Sequence, residues 1–371
     1  MGLDRQERVT MAPIPVPSIS PIGDHTRETR SKSGRGIGFK YLTRRAATSL
    51  LVILGVVTIT FVVSRLVPSD PAQLYAGARA RPEQVEQVRQ DLNLDAPVLS
   101  QYVSYLGDLA RGDLGVSFAT RRPIAQDLRR FLPATLELAL AATLLSMIIG
   151  IPAGVLAAAR RSRLSDTFIR LFAVTGVSMP VFWGALLLQL LFASRLGWLP
   201  LAGRTDSRVT FDEITGFFAI DSLLSGSPSN FADVIVHLAM PVAVMAAYPL
   251  GLTIRLIRGS MLEVLGSDYI EAAQVAQVPR RTVLSRLALK NAVLPALTVL
   301  GLTFAYSVSS AFLVETVFAW PGIGKYLTDA VVRVDYPVIA AAAMAVTIVY
   351  VLVNLALDLI QARLDPRVVL G

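Results

Sequence analysis

Six apolar runs alternate with polar segments along this chain: Ala46 to Val67, Leu132 to Ala159, about Phe168 to Leu191, Val234 to Ile257, Val293 to Val314 and Val338 to Ile360. A helix of about twenty apolar residues crosses the roughly 30 Å hydrocarbon core of a bilayer. The pattern therefore predicts an all-α polytopic membrane protein with six transmembrane helices. Ahead of the first run, residues 1–38 are rich in Pro, Ser, Arg and Gly without apolar periodicity, which predicts a disordered tail. The first run is too long for a signal-peptide core and is not followed by a small-residue cleavage site, so it is read as a retained helix.

The polar segments set the expected organisation. Residues 39–67 form the first span, and 68–131 form an external linker. This linker contains RPEQVEQVRQDLNLD, QYVSYLGDLARGDLGVSF and RRPIAQDLRRFLP, patterns of short surface helices. Residues 132–367 hold the other five helices, with a polar hairpin at 258–292. GIPAG at Gly150 to Gly154 gives the second run a small-xxx-small spacing, which lets helices approach closely. In the outer segment from Gly197 to Phe231, FFAI at Phe217 to Ile220 is too short to span. Lys and Arg concentrate in the tail, in ARRSR after Ala159 and in the hairpin, so the positive-inside rule places both termini and the hairpin in the cytoplasm.

Composition fits a lipid solvent: of 371 residues, 53% are apolar and only 17% charged, below the quarter typical of soluble domains. Mean hydropathy is +0.56. Cysteine is absent and His25 and His237 are the two histidines, which leaves no thiolate site and no evident metal centre. The net charge of +8 lies largely beside membrane segments, where it orients the chain and meets anionic lipid; no basic soluble domain exists to bind nucleic acid.

The most informative polar stretch is DYIEAAQVAQVPRRTVLSRLALKNAVLP, Asp268 to Pro295. Asp268 to Ala276 reads as a short helix, broken at Val278-Pro279. A second helix follows with Val283, Leu284, Leu287 and Leu294 on one side and Arg280, Arg281, Arg286 and Lys290 on the other. Physics alone leaves two readings: a basic helix resting on anionic lipid, or a docking element on which Ala272 and Ala273 permit close approach and Glu271 is a polar anchor.

Glu271-Ala272-Ala273, the basic helix after it and Leu294-Pro295 resemble the EAA loop of bacterial ABC-importer permeases. GDLGVSF at Gly112, RRPIAQDLRRFLPATLEL at Arg121, ETVFAWPGIGKYLTDAVVRVDYP at Glu315 and NLALDLIQARLDPR at Asn354 resemble, in the same order, the B-type subunit of the dipeptide/oligopeptide (and nickel) permease family. The likeness runs from about Lys40 to Arg367. It implies a type I ABC importer permease fold and a bacterial plasma-membrane location. It further implies a coupling helix, here Tyr269, Glu271, Ala272, Ala273, Gln277, Arg280 and Arg281, that fits a groove of an ATPase. The family places a glycine a few residues after EAA, where this chain has Gln277.

The implied partners are a homologous C-type permease subunit, one bifunctional or two separate ABC ATPase subunits that bind ATP and Mg, and an extracytoplasmic substrate-binding protein. The implied cargo is a di- or oligopeptide, with nickel, haem or glutathione as alternatives within the same architecture. This chain carries no cofactor and no ATPase site: PGIGK at Pro321 to Lys325 has Ala319 where a P-loop needs its first glycine and Tyr326 where it needs Ser or Thr. Its glycines are read as an outside turn, and Trp320, Pro321, Gly322 and Gly324 as surface for the binding protein.

Polar residues within or beside the spans are Glu137, Gln189, His237, Tyr306, Ser307, Ser309, Ser310, Asn354 and Asp358. Of these, Tyr306, Ser307 and Ser310 are the pore-lining candidates, against a structural role as interhelical glue. An ion-coupled secondary transporter is the rival from another class, but neither an internal repeat nor a mid-span carboxylate is evident. An intramembrane enzyme would need a nucleophile with its base, or a metal site, that the chain does not supply.

Overall fold

The computed structural model describes residues 39–66, 70–77, 79–160 and 178–364, with residues 164, 167, 169, 171, 174 and 176 between them. The tail at 1–38, most of the ARRSR loop, much of the third apolar run and the Tyr306 and Ser309 side chains lie outside the described residues. Helix α1 (Phe39–Leu66) leads into the linker helices α2 (Pro71–Ala76), α3 (Pro82–Asp91) and α4 (Val98–Ala110). Then come α5 (Ile124–Ala159), α6 (Val181–Leu188) with a π-helical extension (Gln189–Arg195), α7 (Phe218–Leu224) and α8 (Pro228–Leu265). The hairpin helix α9 (Asp268–Val275) precedes α10 (Leu289–Val317), α11 (Ile323–Val332) and α12 (Tyr336–Leu364).

Among the described residues, four helices are long and apolar enough to cross a membrane, and α10, bent by 57° between its halves, makes a fifth. Most predicted spans recur with longer ends. The exception in kind is RRPIAQDLRRFLP, expected as a separate linker helix. It forms the first turns of α5, which starts at Ile124 and runs through Pro133. Ile124 and Leu128 are buried against Ile323, Tyr326 and Val338, so tertiary packing carries the helix across a proline that costs it one backbone bond.

Helices α5 and α8 form the central pair. A Cβ at Gly150 would stand 2.8 Å from Thr253 Cγ2, and one at Gly154 would stand 2.7 Å from Ile257 Cβ. The two glycines are thus the condition for contact, as the spacing predicts. Gly154→Leu is expected to force the helices apart and cost about 3 kcal/mol, the upper part of the overpacking range; thermal unfolding of the purified chain would show it.

Connectivity and contacts give the bundle two ends. The last turn of α5, the end of α8 and the hairpin share one core of Ala158, Ile257, Met261, Ile270, Val283 and Ala288. Arg45 near the start of α1 pairs with Asp358 near the end of α12 at 2.8 Å. At the far end α11 lies against α5, α10 and α12, and the linker is tied to it: Ser117 Oγ and the Ala119 N–H donate to Asp335 Oδ2 at 2.6 and 3.0 Å. The Tyr326 hydroxyl donates to Asp127 at 2.9 Å, and burial first, then this bond, pushes its ionisation far above the usual phenol range.

Candidate functional site

The hairpin is anchored on one face and open on the other. Ile270 is fully buried, while Tyr269, Glu271, Ala272, Val275 and Gln277 are exposed, Val275 by 80%. Ala273 is half-buried. Tyr269 is held by a bond from Asn291 Nδ2 at 2.9 Å, and Arg280 Nη2 donates to the Ala159 carbonyl at 2.8 Å. That bond satisfies a terminal carbonyl of α5. Arg281, Arg286 and Lys290 point out, opposite buried Val283, as the amphipathic pattern predicts. The second hairpin helix begins as one α-turn (Arg280–Thr282) and continues as a π-helical stretch (Val283–Ala288) into α10.

Gln277 sits at φ +56°. Helix α9 ends in a Schellman arrangement: the Val278 N–H donates to the Ala273 carbonyl at 3.0 Å and the Gln277 N–H to that of Gln274 at 2.9 Å. The left-handed residue of that motif is ordinarily glycine, so this chain keeps the turn without the residue that suits it. Gln277→Gly is expected to stabilise the hairpin by about 0.5–1 kcal/mol, read as slower amide exchange at residues 276–278.

The far end corrects one expectation. Trp320 is fully buried, and Gly322 and Gly324 are buried with it; only Pro321 is partly open. Trp320 Nε1 donates to the Ala134 carbonyl at 3.0 Å. Buried Glu315 accepts from Thr135 Oγ1 at 2.5 Å and from the Lys325 N–H at 2.9 Å. A Cβ on Gly322 would land on the Glu315 carboxylate and one on Gly324 on the Phe312 backbone. The glycines make room for an interior lock and are not themselves a docking surface. The turn passes through Ala319 at φ +47°.

Beside this lock is a buried ion pair that sequence reasoning missed on one side. Arg204 Nη2 donates to Glu137 Oε2 at 2.5 Å and to the Gly216 carbonyl at 2.9 Å, and the Ala219 N–H donates to Glu137 Oε1 at 2.7 Å. Both side chains are 5% exposed. The guanidinium lies 3.5 Å from the Phe218 ring centroid. Burial pulls the Arg204 ionisation below its usual range, and the Glu137 charge opposes that pull. A cavity of about 230 Å³ opens next to it, lined by Arg130, Arg204, Glu213, Phe218, Ala319 and Pro321 among others.

The pore candidates divide. Ser307 is buried and its hydroxyl donates to the Thr303 carbonyl of its own helix at 2.9 Å, a bond within the helix and not between helices. Ser310 is half-buried, donating to the Ser307 carbonyl at 3.3 Å. Gln189 Nε2 ties the carbonyls of Leu201 and Val317 together at 2.9 and 3.0 Å. His237 Nδ1 faces the Asp233 carbonyl at 2.9 Å, and Asn354 Nδ2 donates to the Tyr350 carbonyl at 3.0 Å.

Residues 150–370 match the family described as binding-protein-dependent transport system inner membrane component, and residues 38–139 match its N-terminal counterpart. The chain is 43% identical over 328 residues to "Probable D,D-dipeptide transport system permease protein DdpB" of Escherichia coli (strain K12), covering 88% of this chain and 96% of that protein. It is 39% identical over 328 residues to the dipeptide transport system permease protein DppB of Alkalihalophilus pseudofirmus, covering 88% and 98%. With DppB of Escherichia coli (strain K12) the identity is 37% over 333 residues, covering 89% and 98%. In fold it is similar to a chain of the inward-facing MetNI methionine ABC transporter, with a TM-score of 0.51 and 15% identity, covering 66% of this chain and 99% of that one. Helical throughout its described spans, matched over both its parts and similar to these permeases over 88–89% of its length, the chain belongs to the binding-protein-dependent transport system inner membrane component family, a family of multi-pass membrane permeases.

Proposed function

We propose that this chain is the B-type permease subunit of an ATP-driven importer of di- or oligopeptides, and that α9 is the element through which ATP binding elsewhere moves it. The observation that carries the reading is the hairpin itself: a helix pinned by Ile270 into the ends of α5 and α8 while Glu271, Ala272 and Val275 stay open. A partner transmits force only if it binds one state of the permease better than another. A rigidly anchored, outward-facing helix is the feature that makes such a difference felt in the spans. The 37–43% identity over 88–89% of the chain to permeases named for dipeptides supports the cargo class.

The partners follow from the same reading. One bifunctional or two separate ATPase subunits hold ATP and Mg at the hairpin end, and a homologous C-type subunit supplies the other half of the path. A substrate-binding protein delivers cargo at the far end. Trp198, Ile214 and Leu223, in the segment between α6 and α8, are exposed apolar side chains available for such a contact. Both termini and the hairpin face the cytoplasm, supported by the Lys and Arg that the sequence concentrates in the tail, the ARRSR segment and the hairpin.

The test is purification of the tagged chain from its native membrane, identification of the co-purifying chains, and ATP hydrolysis with binding protein loaded by peptides or by nickel. Peptide-stimulated hydrolysis in a complex with a sister permease and an ATPase is the expected result. Recovery without any ATPase overturns the reading.

A further inference from the structure

We propose that a cavity between α1, α4 and the start of α12 holds the primary ammonium headgroup of a zwitterionic phospholipid from the leaflet on the far side from the hairpin. The cavity measures about 390 Å³ and sits at the end of the apolar span of α1, at Thr60, Phe61 and Ser64. Its wall mixes aromatic rings, among them Phe61 and Tyr105, with the carboxylates of Asp108 and Asp113, and among the described residues that line it there is no Lys or Arg. Rings and acids without a base suit a cation.

Three further observations favour a lipid as its source. Helix α4 carries Leu99 and Val103 one turn apart, 73% and 61% exposed, an apolar stripe of the kind that seats a helix in the headgroup boundary. Gln101 Nε2 donates to the Leu94 and Ala96 carbonyls at 2.9 and 2.8 Å, which leaves its buried Oε1 without a partner beside the cavity. A primary ammonium brings donors for such an acceptor, whereas a quaternary choline brings none. Arg121 lies 4.3 Å from the Tyr75 ring centroid, an exposed cation next to the wall for the lipid phosphate. Among the described residues Asp108 has one weak internal competitor, Arg111 at 3.6 Å, and Asp113 Oδ1 accepts from the Gly115 N–H at 2.8 Å. The site depends neither on the cargo nor on the ATPase.

The experiment is native mass spectrometry of the purified full chain titrated with phosphatidylethanolamine, phosphatidylcholine and phosphatidylglycerol of the same acyl chains. Preferential retention of the ethanolamine lipid is expected, with an Asp108→Asn/Asp113→Asn variant lowering that preference about tenfold. Asparagine keeps an oxygen for the Gly115 N–H, so the turn should stand. If the double variant does not purify, Asp108→Asn alone, at a half-exposed position, is expected to lower it about threefold. Equal retention of the three lipids, or a preference untouched by either variant, overturns the proposal. So does saturable binding of alanyl-phenylalanine that displaces the lipid and is lost in the same variant, since the ammonium would then be a peptide's.

Discussion

Glu271→Arg is expected to abolish ATP-driven uptake while the protein still inserts and assembles its spans. Glu271 is exposed on the first turn of α9, and among the described residues its side chain makes no hydrogen bond or ion pair. Within the chain, the reversal therefore removes only the interaction of an acid with the helix N-terminus, worth about 0.3–1 kcal/mol. Across an interface the change is larger, because a reversed charge must be desolvated against a surface shaped for an acid. Truncating one member of a buried charged contact alone costs about 2–5 kcal/mol, or roughly 30-fold and upward in affinity. Uptake measured in vesicles at matched expression checks it. Full uptake in the variant would remove α9 from the coupling path.

Arg204→Met is expected to destabilise the folded chain by about 3–5 kcal/mol, because it strands Glu137 in the interior without its counter-charge. The Ala219 N–H would be the one remaining donor to that carboxylate among the described residues. Adding Glu137→Leu should recover most of the loss, since an apolar pair of similar volume replaces a buried ion pair at little cost. The two single variants and the double variant, compared by thermal unfolding in detergent, form a cycle that reads the coupling directly. If Arg204→Met alone unfolds no earlier than wild type, the pair is not what holds the 197–217 segment against α5.

These two sites differ in how much the sequence tells of them. The hairpin is legible because it is local: Val283 and Arg281, two residues apart, need only helical periodicity to be sent to opposite sides, and Pro279 marks the break. The close approach of α5 and α8 is legible for a similar reason, since glycines four apart fall on one helix face. The Arg204–Glu137 pair joins residues 67 positions apart. Arg204 stands in a segment without periodicity, so no pattern announces its partner. The turn at Trp320 misleads for a physical reason. A run of glycine and proline ordinarily marks an exposed loop, yet here the absent Cβ atoms admit the Glu315 carboxylate and the Phe312 backbone. Ser307 shows a different limit: the sequence gives a hydroxyl within a span, but not that it bonds to the carbonyl one turn back on its own helix.

The absence of cysteine from the chain offers the most direct test of the hairpin's role. Val275→Cys places a single thiol on α9 at a side chain that is 80% exposed, and maleimide labelling in inside-out vesicles reads its access with and without the co-purifying partners. Labelling that is rapid on the isolated chain, blocked in the assembled complex and changed by ATP is the result the coupling account predicts. A thiol equally open in the complex, whatever the nucleotide, would contradict it.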